Sequence, residues 1–162
     1  MTTSKERIDM EIAAIGTVSS PRTDPSDTTG WGDVVARIDL VESLGRRSLE
    51  GLADFSHVDI VFWFDRIVRR PDYVEPRRAR GREDMPLVGV FAARGPNRPN
   101  PIGVSACRLI AVGDTWLTVR GFDAVDGTPV LDIKPVMAQL IPHDVEEPEW
   151  SSRLMRDYYQ RT

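Results

Sequence analysis

Two guanidinium groups and two carboxamides fall within eight residues of this chain, at Arg94-Gly95-Pro96-Asn97-Arg98-Pro99-Asn100-Pro101. The three prolines remove three backbone donors and fix three φ angles. They also push Gly95, Arg98 and Asn100 towards extended backbone. Polar side chains on so stiff a turn lose little freedom on meeting a ligand, so this loop is the first candidate for a site. Arg94 and Arg98 suit planar recognition of a carboxylate or phosphate. The plainer alternative is a rigid connection whose polar groups face water.

A second concentration of chemistry precedes it. Of the 21 basic residues, only Lys5 and Lys134 are lysines, and seven of the arginines lie between Arg66 and Arg82. Arg77, Arg78 and Arg80 head this group as candidate substrate contacts, alongside Arg98, Asn100 and Lys134. The net charge of −4 argues against a general polyanion binder. A basic loop on an acidic body would instead hold one anionic substrate, unless its arginines are merely solvated. The third stretch is DAVDGTPVLDIKP, Asp123–Pro135. Asp126-Gly127 signals a tight turn, and Asp132 and Lys134, two apart on a strand, share a face where they pair or flank a site. Trp31, set between Gly30 and Gly32 in a polar loop, is either a lid folded onto the core or a stacking surface for a planar ligand.

The elements that must position these groups are mostly strands. Period-two alternation marks Met10–Val18, Asp33–Leu40 and Trp116–Phe122, and most strongly His57–Asp65. In that last segment Val58, Ile60, Phe62 and Phe64 share one face. Both ends of Val88–Leu109 read as strands, Val112–Thr115 as a hairpin turn, and Val130, Asp132 and Lys134 as alternating with Leu131 and Ile133. Leu49, Leu52 and Phe55 recur at helical spacing, and Trp150, Leu154 and Tyr158 give an amphipathic terminal helix over 148–161. The expected fold is mainly β: one small barrel over 1–162, with long loops on one rim and a short C-terminal helix. The single cysteine, Cys107, gives neither a disulfide nor a metal set, so a reducing, cytoplasmic setting and no metal are expected. No leader or membrane span is expected either. G-x-G-x-x-G and G-x-S-x-G are both missing, so neither a Rossmann nucleotide site nor a serine hydrolase fits.

FSHVDIVFWF (Phe55–Phe64), VFAARGPNRPNPIGVSACRL (Val90–Leu109) and DAVDGTPVLDIKP resemble the three signature blocks of the TsaA-like, or TrmO-type, methyltransferases. IGTVSSP (Ile15–Pro21) is similar to that family's opening strand and turn, and the likeness runs from about Glu11 to Pro142. It implies a β-barrel enzyme that uses S-adenosylmethionine and methylates N6 of N6-threonylcarbamoyladenosine beside a tRNA anticodon, as a homodimer with the cofactor near its interface. By position, it places Asp65, Arg66, Arg94, Val104, Asp126, Gly127, Thr128 and Pro129 at the cofactor, and more loosely Trp31. Two departures bear on the substrate: Asp65 stands where many members have histidine, and the further C-terminal domain of longer members is replaced by the short Trp150–Tyr158 helix.

Methyl transfer from a sulfonium needs positioning and exclusion of water rather than a metal. A carboxylate that takes the acceptor's proton would assist, and Asp65, Asp126 and Asp132 are the candidates, undivided by sequence. A cofactor-dependent enzyme acting on a small molecule and a non-catalytic barrel binding nucleic acid or cofactor remain the alternatives.

Overall fold

A computed structural model describes residues 8–160. Its elements in chain order are β1 (Gly16–Ser19), β2 (Val35–Leu40), β3 (His57–Trp63), β4 (Arg77–Arg78), β5 (Leu87–Val88), β6 (Ile102–Val112), β7 (Trp116–Arg120), β8 (Pro129–Pro135) and α1 (Glu149–Met155), with short 3-10 turns between. Six strands close into an antiparallel barrel in the order β1-β2-β7-β6-β3-β8, so none of the six has an open edge. Alternation explains the closure. Val58, Ile60 and Phe62 from β3 point inward with Val18, Ile38, Cys107, Leu117, Val119 and Val130. Phe62 stands edge-on between Phe64 and Phe122, at centroid distances of 5.0 and 5.3 Å. Cys107 is one of these packing residues, and burial pushes its thiol well above the ordinary range, so it is inert filling.

Register decides where the loops go. Ser19 pairs with Arg37, Val35 with Arg120, Trp63 with Ile102, and Thr17 with Pro129. The ends of β1, β3 and β7 and the starts of β2, β6 and β8 therefore share one rim. That rim carries the three connections 20–34, 64–101 and 121–128. The long loops expected from sequence do gather at one end.

Several expectations change in detail. The first strand is Gly16–Ser19 rather than Met10–Val18: β2 ends at Leu40, and before Gly16 only Ile15, among the described residues, adds cross-strand bonds, to Val130 and Val41. The N-terminal end of Val88–Leu109 is no barrel strand. Leu87–Val88 pairs only with Arg77–Arg78, and Val90–Ala92 turns as 3-10 helix. In β8, Val61 faces Asp132 while Phe62 faces Val130, so Leu131 is a bulge. It breaks the expected alternation: Val130 is in the core, and Asp132 and Lys134 face out. Residues 47–55 form 3-10 turns rather than a helix. The terminal helix covers Glu149–Met155 instead of 148–161. Residue 161 of that span lies outside the described residues.

Candidate active site

Asp126 sits at the turn into β8, where Gly127 adopts φ +81°, a left-handed conformation that glycine reaches without strain. The Asp126 carboxylate accepts the Ser20 N–H (3.1 Å), its own N–H donates to the Arg22 carbonyl (2.7 Å), and Gly127 N–H donates to the Val18 carbonyl (2.8 Å). Thr128 is buried behind this turn and Pro129 starts the strand. Arg66, arriving from the end of β3, donates to the carbonyls of Asp126 (2.6 Å) and Thr23 (2.9 Å). One guanidinium thus ties the 20–34 loop, the β8 turn and the β3 exit together. Asp65 stands beside it, exposed, with no hydrogen bond or ion pair to its carboxylate among the described residues.

The other side of the rim is built by the proline loop. Phe64 N–H donates to the Pro101 carbonyl (2.8 Å), which joins the β3 exit to the entry of β6. Arg94 donates to the Val104 carbonyl (2.7 Å), laying its guanidinium along β6. Arg98 folds inward and donates to the carbonyls of Gly95 and Val90 (both 3.1 Å) and of Ala93. Burial, with Arg94 and Arg77 nearby, holds its pKa below the ordinary guanidinium range. A Cβ on Gly95 would lie 3.1 Å from the Arg77 side chain, so this glycine admits Arg77 to the loop. Asn100 accepts from Arg69 (3.3 Å).

The structure separates the three carboxylates offered by sequence. Asp126 is engaged as a turn cap. Asp132 lies on the outer wall in a row with Val61 and Val104, accepts the Ile133 N–H (2.9 Å) and pairs with Lys134 (2.6 Å). The pair raises the Lys134 pKa, the hydrogen bond first and the charge second. Lys134 is committed to that pair and takes no part in the rim. Asp65 alone of the three is both at the rim and unengaged.

Trp31 takes the folded-back form: 2 % exposed, with the Arg22 guanidinium 5.2 Å from its ring centroid. Arg22 also pairs with Asp27 (3.0 Å) and donates to the Gly30 carbonyl (3.0 Å), so one side chain shapes the whole loop. Sequence reasoning missed Arg22, and missed a network around Asp123 as well. The Asp123 carboxylate accepts from the Ser105 and Tyr158 hydroxyls, the latter at 2.6 Å. Burial, then the Asp123 charge, pushes the Tyr158 hydroxyl well above its usual range, so it serves as a neutral donor. Tyr158 also accepts the Trp31 backbone N–H at its carbonyl (2.9 Å) and lies under Arg80 (5.0 Å). The surface that the amphipathic tail was expected to cover is therefore this rim. Arg78 is spent on the Met85 carbonyl.

A family model, the tRNA-methyltransferase O N-terminal domain, matches residues 17–140. The chain belongs to this family. The matched span includes every element of the rim except the C-terminal tail. Among relatives of this TrmO-family member, a probable S-adenosyl-L-methionine-binding protein of Pyrococcus abyssi is 36% identical over 136 residues, 82% of this chain and 70% of the relative. A human tRNA (adenine(37)-N6)-methyltransferase is 41% identical over 104 residues, 62% of this chain but 23% of the relative. The crystal structure of TrmO from Pseudomonas aeruginosa superposes with a TM-score of 0.73 at 28% identity, over 90% of this chain and 63% of that one. This TrmO-family chain thus spans less than two thirds of that solved protein. Among its described residues no helix is long and apolar enough to cross a membrane.

Proposed function

We propose that this chain is an S-adenosylmethionine-dependent methyltransferase that acts on N6 of an adenine in tRNA, in the finer reading N6-threonylcarbamoyladenosine beside the anticodon. The observation that carries this reading is the rim itself. Asp65, Arg66, Arg94 and the Asp126–Pro129 turn, drawn from three separate stretches, gather at one end of a barrel of this family. The names of the Pyrococcus and human relatives support the cofactor and the acceptor class.

The donor set suits the cofactor's chemistry. Arg94 has guanidinium donors beyond the one spent on Val104, and the Val104 side chain supplies apolar surface, 44% exposed. When bound, S-adenosylmethionine supplies a methyl group on a sulfonium centre that departs as a neutral thioether. Arg94 holds the amino-acid carboxylate and the 126–129 turn borders the cofactor, while Trp31 sets the shape of the facing loop from beneath. Asp65 takes the proton that the acceptor nitrogen gives up as it is methylated. Arg77, Arg80 and Asn100, next to this rim, face the RNA, and Arg98 beneath them holds the proline loop in place.

Transfer of labelled methyl groups from S-adenosylmethionine into unfractionated tRNA tests the reading. Label in tRNA, recovered after digestion on an N6-methylated adenosine, is the expected result. Cofactor binding without transfer to any tRNA would favour a small-molecule acceptor, and no cofactor uptake would leave a non-catalytic barrel.

The working unit in this proposal is a homodimer. A small closed barrel offers little concave surface, and Val104 leaves apolar surface exposed on the outer wall. Sedimentation at micromolar concentration with cofactor present is expected to give twice the chain mass, and a monomer alone would reject the dimer.

A further inference from the structure

The VGVFAAR stretch holds a feature that its strand-like sequence hid. Val90 is buried and Phe91, one residue on, is 82 % exposed. The turn that presents Phe91 is rigid. Ala92 N–H donates to the Gly89 carbonyl (3.0 Å), Val88 is laddered to Arg77, and Arg98 grips the carbonyls of Val90 and Ala93 on either side. A fully exposed phenylalanine on a fixed turn gains nothing for the fold, since its ring contacts water rather than the core.

Its surroundings indicate what the ring meets. Arg98 binds the carbonyls of this turn, Arg77 is laddered to Val88 at its start and lies beside Gly95, and Arg94 follows three residues on. None of these three guanidinium groups forms an ion pair among the described residues, although Arg22, Arg37, Arg82 and Arg153 all do. Burying this exposed ring against an apolar protein would also bury the unpaired guanidinium groups on its own and the neighbouring segments, which would lose water without gaining counter-charges. A single-stranded nucleic acid presents the complementary pair of features: a phosphate for an arginine and an unstacked base for the ring.

We propose that Phe91 is a stacking platform for one unpaired nucleotide of the RNA substrate, whose phosphate is held by Arg77, with Arg98 adding positive charge from beneath the turn. This inference rests on the RNA reading above and adds to it a defined base-binding position. It also gives the proline loop a second role: Arg98, turned inward, fixes the platform as well as adding charge. The bound nucleotide is a neighbour of the methylated base. Phe91 recognises it by shape and π-surface, so the position tolerates different bases.

Binding of an RNA hairpin with an open loop, and of a blunt duplex of equal length, to wild type, Phe91→Ala, Phe91→Trp and Arg77→Ala tests the platform. A base analogue, 2-aminopurine, placed singly through the loop reports stacking. Phe91→Ala is expected to weaken hairpin binding by about 5- to 150-fold with no change in salt slope, and to leave duplex binding and cofactor affinity as they were. Phe91→Trp retains hairpin affinity, and one loop position shows 2-aminopurine quenching that Phe91→Ala abolishes. Arg77→Ala instead lowers the salt slope by about 0.7. Unchanged hairpin affinity in Phe91→Ala would overturn the platform while leaving the RNA reading intact. So would a change of oligomeric state in that variant, because the ring would then belong to a protein interface. A wild-type protein that binds cofactor but neither RNA would overturn the RNA reading, and the platform with it.

Discussion

Asp65→Asn is expected to lower the rate of methyl transfer by about 10²- to 10⁴-fold while the protein still folds and still takes up S-adenosylmethionine. The exchange keeps the shape of the side chain and its hydrogen-bonding oxygen but removes its capacity to accept a proton at neutral pH. Asp126 and Asp132 cannot stand in, because one caps the turn at Ser20 and the other pairs with Lys134. The loss should fall on kcat under single-turnover conditions, with cofactor affinity measured separately by calorimetry. Asp132→Asn is the matched control: it breaks an exposed pair on the outer wall and should change turnover little. A full rate in Asp65→Asn would remove Asp65 as proton acceptor, and a joint loss of rate and cofactor binding would make it a cofactor contact instead.

The largest effect on stability is expected at Phe62. Replacement by Ala should cost about 3–5 kcal/mol, read as a lower urea midpoint with an unchanged m-value. The ring is 1 % exposed, makes edge contacts with Phe64 and Phe122, and fills the barrel where the Gly103 backbone passes. A Cβ added to Gly103 would lie 2.3 Å from the ring, so the I-G-V step in β6 is glycine for packing rather than for flexibility. Gly103→Ala should therefore destabilise as well, by about 1–3 kcal/mol, and by less in a Phe62→Leu background where the ring is gone. Independent, additive effects of the two substitutions would show that the close approach is relieved by other means.

Chemistry and position were legible to different degrees. The signature blocks identified the family, and the residues it implied for the cofactor are the ones proposed at the rim. The proline loop declared its rigidity through three ring-locked φ angles, a property each residue carries with it. The terminal amphipathic pattern correctly required a surface to cover, but nothing local said that Tyr158 would reach Asp123, 35 residues away. Arg22 was overlooked because a lone arginine in a polar loop has no pattern, and only folding puts its guanidinium over Trp31 and beside Asp27.

By itself, the sequence determined the strand character of His57–Trp63, the inward set Val58, Ile60 and Phe62, and the turn at Asp126-Gly127, because side-chain alternation and backbone permissiveness are properties of neighbouring residues. Tertiary structure alone decided which carboxylate stayed unengaged, that Leu131 would bulge, that Trp31 would be buried and that Phe91 would not. Each of those outcomes depends on the partner strand or loop that arrives alongside. Arg66 meets Asp126 across 60 residues, and the register that brings them together is set by barrel closure rather than by either segment.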